Sequence, residues 1–279
     1  MPTQHRPWGS KMRVAVGVAM TAVLLGVSGQ SELHAQETSN QGAQAQVQKP
    51  PPPSPWSFSV SPYLWFAGLD GKVAVNSNLP TVNVGVKFTD IFKSIDWFPP
   101  PVMVAGEVRY NDFAAFTDFI FLGIEDEKAA ERGPIAVNAD VKLDQIIWTF
   151  GGSYRFIDNE YGSVALLAGG RLWNADARGT LTGPLAVREK SGSKTWVDPI
   201  IGLNARFALG GGFGLQGEAD VGGGAAKVDW QLLGTLQYQA EDWLTLDAGY
   251  RYLAVNFSDG GFHYNVALHG PIIGATFRF

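Results

Sequence analysis

The feature that most constrains this chain is an alternation of large apolar residues with small or polar ones, repeated from Trp56 onward in segments of about ten residues. In the first segment, Trp56 to Phe66, the even positions are all apolar and the odd positions are serine, tyrosine or tryptophan. Successive side chains of a strand point to opposite faces, so each segment has one apolar face and one mixed face. Segments of this kind, separated by turn residues, are typical of antiparallel transmembrane β-barrels.

The last eleven residues, His269 to Phe279, alternate in the same way. Phe279, Phe277, Ala275 and Ile273 share one face, and Arg278, Thr276, Gly274 and Ile272 share the other. A terminal phenylalanine can also finish a sheet edge in a soluble sandwich, and these residues alone do not separate the two structures. The alternation in the rest of the chain favours a strand with one face against lipid.

The segments before Trp56 predict export followed by a spacer. Residues 1–35 hold three basic residues, an apolar run of 16 residues from Val14 to Gly29, and a plausible cleavage site at Ala35, which is the pattern of a secretory signal peptide. The apolar run is shorter than the roughly 20 residues that a spanning helix needs. Residues 36–55, rich in glutamine and ending in KPPPPSP, predict a flexible to polyproline linker. Residues 56–279 then form the barrel.

Charge and cysteine content exclude several classes of function. Removal of residues 1–35 takes away three basic residues and one acidic residue, so the net charge falls from -5 to -7. An acidic chain argues against a nucleic-acid partner. Because the chain has no cysteine, it has no lipoprotein attachment site, disulfide framework or cysteine-ligated metal. We expect no cofactor.

Turn signals set the predicted strand count. Short turns are expected at Asn111-Asp112, 157–161, 210–212 and 240–242, and longer polar loops at 123–138, 178–195, 222–224 and just before His263. Outer-membrane barrels have short periplasmic turns, long extracellular loops and, in bacterial single chains, an even strand number. With Phe279 in the periplasm, the rhythm predicts 12 strands (range 10 to 14), provided that the first segment breaks at a turn from Gly68 to Gly71.

One stretch departs from the period of two. Residues 88–97 (FTDIFKSIDW) place their apolar side chains at helical spacing, and Pro99 to Pro101 follow. This predicts one short amphipathic helix in a loop. In an alternative arrangement the helix packs inside the lumen and the first two segments merge into one strand.

Several motifs resemble those of a widespread group of Gram-negative outer-membrane proteins within the broad OmpA/OmpW-like barrel class. They are Pro62-Tyr63-Leu64-Trp65 followed by Gly68-Leu69-Asp70-Gly71, then WVDPIIGL at 196–203, DVGG at 220–223, GYRY at 249–252, His269-Gly270-Pro271 and the closing Phe-Arg-Phe. The resemblance covers Trp56 to Phe279 and implies a fold and an outer-membrane location more than an activity. It also implies that Phe277 and Phe279 form a C-terminal signal that the barrel-assembly machinery reads, with outer-membrane lipid as the other partner.

Charged residues gather on the face opposite the apolar one. They are Glu107, Arg109, Asp118, Arg155, Arg171, Asp198, Arg206, Glu218, Asp220, Asp247 and Arg251. An arginine facing lipid near the midplane costs about 2–4 kcal/mol, so this segregation predicts that these positions line a lumen. The six acids and five arginines can form a structural network that stiffens a small barrel, or a constriction that selects a small polar solute. The predicted function is therefore a structural or narrow-pore barrel, with passive passage of small solutes as an option.

The alternative from another class is a lipid-active enzyme that uses His269. Catalytic barrels rely mostly on histidine, and only His263 and His269 remain after residue 35. By parity His269 faces lipid unless Gly270-Pro271 introduces a bulge, and a serine and an acid within hydrogen-bond reach would be needed. We expect no enzyme. We also expect no metal site, because the acidic run at 125–127 lacks calcium-loop spacing.

Overall fold

Twelve antiparallel strands make up the structure, a computed structural model that describes residues 54–74, 82–87, 101–132, 135–182 and 187–279. For residues 82, 86, 124–132, 135–143, 177, 179–182 and 187–190 it describes the backbone alone. The strands are β1 (Trp56–Trp65), β2 (Gly68–Ala74), β3 (Val82–Val86), β4 (Val102–Tyr110), β5 (Phe113–Arg132), β6 (Ile135–Asn159), β7 (Gly162–Thr182), β8 (Val187–Gly210), β9 (Phe213–Gly222), β10 (Val228–Glu241), β11 (Leu244–Asp259) and β12 (Phe262–Arg278).

Ten of the twelve strands close the barrel. From β4 to β12 each strand pairs with the next along the chain, and β1 closes the ring by pairing with β4 on one edge and β12 on the other. Closure removes the free edges of the sheet, so the backbone groups of the ladder can all be paired inside the barrel wall. This confirms the predicted all-β antiparallel barrel.

The two additional strands, β2 and β3, extend the barrel wall beyond the end of β1. β2 continues β1 along β12 in one register, because Trp65 pairs with Ile272 and Gly68 with His269, three residues further along each strand. β3 pairs with the other edge of β2, on the same side as β4 pairs with β1. The predicted turn from Gly68 to Gly71 is therefore wrong.

The physical reason is that tertiary pairing on both edges overrides the local turn signal. Gly71 is held between β12 and β3, and a Cβ on it would collide with the Asn265 carbonyl oxygen. Its missing side chain thus serves close strand packing. The strand total of twelve stands, and β1 and β2 are separate strands that lie in one register along β12.

Several predictions fall outside the described residues. These are the helix at 88–97, the signal peptide at 1–35 and all of the linker except Ser54 and Pro55. Within the described part of the chain, no helix is long and apolar enough to cross a membrane.

Four short turns lie at one end of the barrel. Asn111-Asp112 forms the predicted two-residue hairpin, with Asn111 at a left-handed φ of 52°, a conformation that asparagine tolerates. The turns at 160–161, 211–212 and 242–243 lie at the same end, inside or beside the predicted segments. Since outer-membrane barrels have their short turns in the periplasm, we name this the periplasmic end and the opposite one the extracellular end.

At the extracellular end, three of the four predicted long loops are wrong. β5 runs to Arg132 and β6 starts at Ile135, while β7 runs to Thr182 and β8 starts at Val187. The stretch before His263 is a two-residue turn at Gly260-Gly261, and only the segment 223–227 is a loop. Hairpins beyond the bilayer have water on both faces, so they need no apolar alternation and the sequence does not mark them as strands.

The barrel exterior carries a band of exposed apolar side chains. It includes Val60, Leu64, Leu166, Val197, Ile201, Leu203, Leu215, Val221, Leu232, Leu236, Leu246 and Ile273. Aromatic pairs lie at the periplasmic edge of the band, with ring centroids 4.7 Å apart for Trp56 and Tyr110 and 4.9 Å apart for Phe213 and Tyr238. An apolar belt bordered by aromatic rings is the exterior of a membrane barrel.

Candidate functional site in the barrel interior

The interior has three levels, and the uppermost, at the extracellular end, is a packed apolar plug. We define the plug as Trp65, Leu69, Val73, Ile120, Leu122, Ile147, Trp173, Trp196, Leu253, Val255, Phe257, Phe262, Tyr264, Val266 and Leu268, all at most 6% exposed. Trp196 is its centre. Its ring stacks on Phe257 at 4.0 Å and on Trp173 at 6.0 Å, and it meets Tyr264 edge-on at 6.0 Å. The interior of an eight-stranded barrel is just filled by side chains, and the interior of a ten-stranded barrel is only slightly wider. Large inward side chains can therefore close the lumen of this barrel.

Below the plug lies a belt of buried charge, and Arg171 organises one side of it. The Arg171 side chain is fully buried. Its Nη1 donates to Asp229 Oδ1 at 2.6 Å, its Nη2 to Asp220 Oδ2 at 2.9 Å and its Nε to Thr149 Oγ1 at 3.0 Å. Trp173 Nε1 donates to the second Asp229 oxygen at 2.7 Å. The plug and the belt are therefore tied together by a direct hydrogen bond.

Arg251 organises the other side of the belt. Its Nη1 lies 2.8 Å from Asp118 Oδ2 and 3.0 Å from the Tyr63 hydroxyl, which itself donates to Asp118 Oδ1 at 2.6 Å. The guanidinium also lies over the Trp65 ring, 5.0 Å from its centroid, in a cation–π contact. Arg251 Nε donates to Gln231 Oε1 at 2.8 Å, and Gln231 Nε2 reaches Asp220 Oδ2 at 3.2 Å. Gln231 thus joins the two arginine clusters into one network.

Asp198 was predicted to belong to the charge network, and its contacts are different. It is fully buried, and it accepts hydrogen bonds from Trp196 Nε1 at 2.9 Å and from the Ala226 backbone N–H at 2.7 Å. Ala226 belongs to the loop at 223–227 and is itself buried. The carboxylate therefore fixes this loop against the plug.

The third level is a cavity of about 390 Å³ that opens at the periplasmic end. Glu107 and Arg109 lie on its wall as a two-bond pair, with Arg109 Nη2 3.1 Å from Glu107 Oε2. Arg206 Nη2 lies 4.0 Å from the same oxygen. Arg155 lies nearer the turns, 3.3 Å from Asp112 and 3.1 Å from Asp158.

All eleven predicted charged positions face the interior or its periplasmic rim, but they do not form one cluster. Arg171, Asp220, Arg251, Asp118 and Glu218 meet in the belt, and Asp198 lies beside the plug. Glu107, Arg109, Arg206, Asp247 and Arg155 line the cavity.

Sequence reasoning missed several members of the belt. Asp229 shares strand parity with Gln231 on β10, so the same alternation could have identified both residues. Tyr63 was placed on the mixed face without a role. The plug could not be recognised from the sequence, because its inward-facing residues are as apolar as the residues that face lipid.

His269 lies on the barrel exterior. The pairing of β11 with β12 runs through Gly270 and Pro271 without a shift, so no bulge turns His269 inward. Its Nε2 lies 2.9 Å from Asp70 Oδ2 and its Nδ1 2.8 Å from the Tyr250 hydroxyl, with Tyr252 stacked at 5.6 Å. An acid is thus within reach, but the hydroxyl partner is a phenol rather than a serine.

Metal binding has no candidate among the residues that the structure describes. In that part of the chain no three or more histidine, aspartate or glutamate side chains converge to hold an ion. The side chains at 125–127 lie outside it.

No protein-family model and no curated protein sequence matches the chain. Among solved structures it is similar to the outer membrane protease OmpT from Escherichia coli, with a TM-score of 0.47 and 9% identity over 80% of this chain and 97% of that one. It is also similar to the translocator domain of the autotransporter NalP from Neisseria meningitidis, with a TM-score of 0.41 and 11% identity over 80% and 88% of the two chains. Ail, the attachment invasion locus protein of Yersinia pestis, gives a TM-score of 0.32 and 17% identity over 81% and 99%. At these scores the similarity supports no statement about activity.

The assignment to a membrane rests on the barrel itself. A closed antiparallel sheet satisfies its backbone groups without water, and this one carries apolar side chains outside and buried charge inside. The chain is an integral β-barrel protein of the bacterial outer membrane.

Proposed function

We propose that this protein is a structural barrel whose interior is closed to solutes, and we favour this function over a narrow pore. The observation that supports it is the plug. Its inward side chains are at most 6% exposed and its aromatic rings are in contact across the barrel from β8 to β11 and β12. A conducting lumen needs a continuous row of water-accessible interior side chains.

The charge belt supports the same function. Arg171 and Arg251 are held by carboxylates, a threonine, a tyrosine and a glutamine at 2.6–3.0 Å. Side chains held by several short bonds to different strands act as fixed cross-links between those strands. A selectivity site instead has to release its ions, which requires weaker contacts.

Two further features belong to the proposal. The motifs at 62–71, 196–203 and 249–252 support membership of the OmpA/OmpW-like barrel class. Phe277 near the end of β12 and Phe279 directly after this strand are proposed as the signal read by the barrel-assembly machinery.

Conductance of the refolded protein in a planar bilayer tests the closed interior. We expect no stepwise currents from the wild type. Steps of a stable size in the wild type would contradict the proposal directly.

Cysteine accessibility locates the seal, since the chain has no native cysteine. Ala175 is fully buried and belongs to the same apolar cluster as the plug residues, and Ser59 lines the cavity. We expect a small charged maleimide to label Ser59→Cys and to leave Ala175→Cys unlabelled until the barrel is denatured. Equal labelling of the two folded variants would show that water passes through the plug.

A further inference from the structure

Charged side chains line the periplasmic cavity, and more of them are arginines than carboxylates. Five arginines and four carboxylates line it: Arg109, Arg155, Arg206, Arg251 and Arg278, with Glu107, Asp118, Glu218 and Asp247. This excess of one positive charge is small, so which atoms remain free decides what the cavity can bind.

Every carboxylate oxygen of the cavity already accepts a bond from the protein. The contacts are Arg109 to both oxygens of Glu107 at 3.2 and 3.1 Å; Tyr63 and Arg251 to Asp118 at 2.6 and 2.8 Å; Gln231 and Asn204 to Glu218 at 2.9 and 2.8 Å; and Gln237 and Thr276 to Asp247 at 2.7 and 2.9 Å. The acids therefore have less capacity for a cation or a further donor than free carboxylates have.

The arginines, in contrast, keep free donors. Arg109 Nη1, Arg206 Nε and Arg251 Nη2 are buried, and none of them has a hydrogen-bond acceptor among the residues that the structure describes. Buried guanidinium N–H groups without an acceptor are costly, and an arginine fork suits the oxygens of carboxylate or phosphate.

The three arginines that carry these donors line the cavity at two depths. Arg109 and Arg206 both approach Glu107. Arg251 binds Asp118, which lies two residues further along β5 than Phe116, the partner of Glu107 across the strands. This places Arg251 about 7 Å deeper, at roughly 3.4 Å per residue.

We propose that the cavity is a binding site for a small oxyanion, a phosphate or a carboxylate, that enters from the periplasm. Arg109 and Arg206 hold the anion, and Arg251 lies at the floor as a third positive charge. The site goes beyond the proposed structural function and does not depend on it, because a barrel sealed at its plug can still bind a solute from one side.

Calorimetric titration of the refolded barrel in detergent micelles tests the site, with inorganic phosphate and succinate as separate probes and glycerol as a neutral one. We expect saturable binding of at least one anion and none of glycerol. The tighter anion identifies the acid group. No saturable binding of either anion, or equal binding of glycerol, overturns the proposal.

Variants assign the binding to this cavity. Arg206 is 42% exposed and 4.0 Å from its acid, so Arg206→Gln is expected to fold and to weaken anion binding at least about tenfold, while Arg206→Lys keeps the charge and restores part of it. The matched control is Arg178→Gln, which removes an arginine that is 50% exposed and pairs with Asp176 on β7, away from the cavity. Equal affinity in Arg206→Gln and the control contradicts the site. Bilayer conductance is read separately, so a leaky barrel with intact binding refutes only the closed interior.

Discussion

Arg171 shows what a single residue contributes to this barrel. It is buried completely, and its Nε, Nη1 and Nη2 donate to side chains on β6, β10 and β9, respectively. A charge at this depth is tolerated only when its partners replace the water it has lost. The residue therefore cross-links strands that are not neighbours in the sheet.

Replacement of Arg171 by methionine keeps most of the volume and removes the charge. Asp220 and Asp229 then lose their only arginine contact among the described residues, and we expect the free energy of unfolding to fall by about 3–5 kcal/mol. Urea titration in micelles, followed by the mobility difference between folded and unfolded protein on gels, measures the change.

The matched control is Arg178→Met. Arg178 is half exposed and lies 3.4 Å from Asp176, and exposed pairs contribute at most about 1 kcal/mol. Equal loss of stability in the two variants would mean that the belt is solvated and that Arg171 has no special role.

At the residue scale, the sequence predicted which positions face inward and little of what they contact. Strand parity placed Arg171, Arg251 and Asp118 correctly, because alternation is a local property. It could not show that Asp198 accepts from a tryptophan and a loop amide, since such partners are fixed by register across several strands. It also gave no sign of the free arginine donors in the cavity.

At the scale of single elements, β12 differs from the other strands of the ring because two different strands pair with one of its edges. Its first half pairs with β2 and its second half with β1, while its other edge pairs with β11 throughout. Where the partner changes, Phe66 N–H donates to the Pro271 carbonyl at 2.9 Å, and a Cβ on Gly270 would collide with the Phe66 carbonyl oxygen. Gly270 therefore lets the β1–β2 junction approach β12.

We expect deletion of Phe279 to impair assembly. Its backbone exchanges two hydrogen bonds with Phe58, at 2.9 and 3.3 Å, so the deletion removes the last rung that joins β12 to β1. The amount of heat-modifiable barrel in purified outer membranes measures the effect. A matched deletion of residues 36–53 should leave assembly unchanged; it spares Pro55, whose carbonyl accepts from Asn111. Wild-type levels of barrel without Phe279 would contradict the closing role of this residue.

The strands could be predicted where they cross the membrane, because contact with lipid on one face requires alternating apolar and polar residues. The membrane strands and the turn at Asn111-Asp112 follow from alternation and turn chemistry. The upper parts of β5 to β8 were taken for loops because alternation disappears there, although the ladder continues. The turn predicted at Gly68 failed for a different reason, since two partner strands distant in sequence decide the conformation.

At the scale of the whole molecule, the two ends of the barrel differ strongly. β6 and β8 have 25 and 24 residues, about twice the 9–11 residues that a spanning strand requires. The excess lies entirely at the extracellular end, opposite the turns at 111–112, 160–161, 211–212 and 242–243. Two hairpins therefore extend from the extracellular end.

Labelling of intact cells tests this orientation. Ser191 is exposed on the extended part of β8, and Glu160 is exposed in a short turn. We expect a membrane-impermeant maleimide to label Ser191→Cys on intact cells and Glu160→Cys only after the outer membrane is permeabilised. The reverse order would invert the assigned ends of the barrel.

The pairing of β1 with β12 also has a kinetic consequence. From β4 to β12, each strand is joined to the next by a short connection. β1 and β12 are far apart in the sequence: the hydroxyls of Ser61 and Thr276 lie 2.9 Å apart, although 215 residues separate them. Contacts between residues so distant in sequence form slowly, because the entropy of closing the chain has to be lost before any bond is gained. The hairpins can therefore form early and independently, and we expect the pairing of the first strand with the last to be the slowest step of folding.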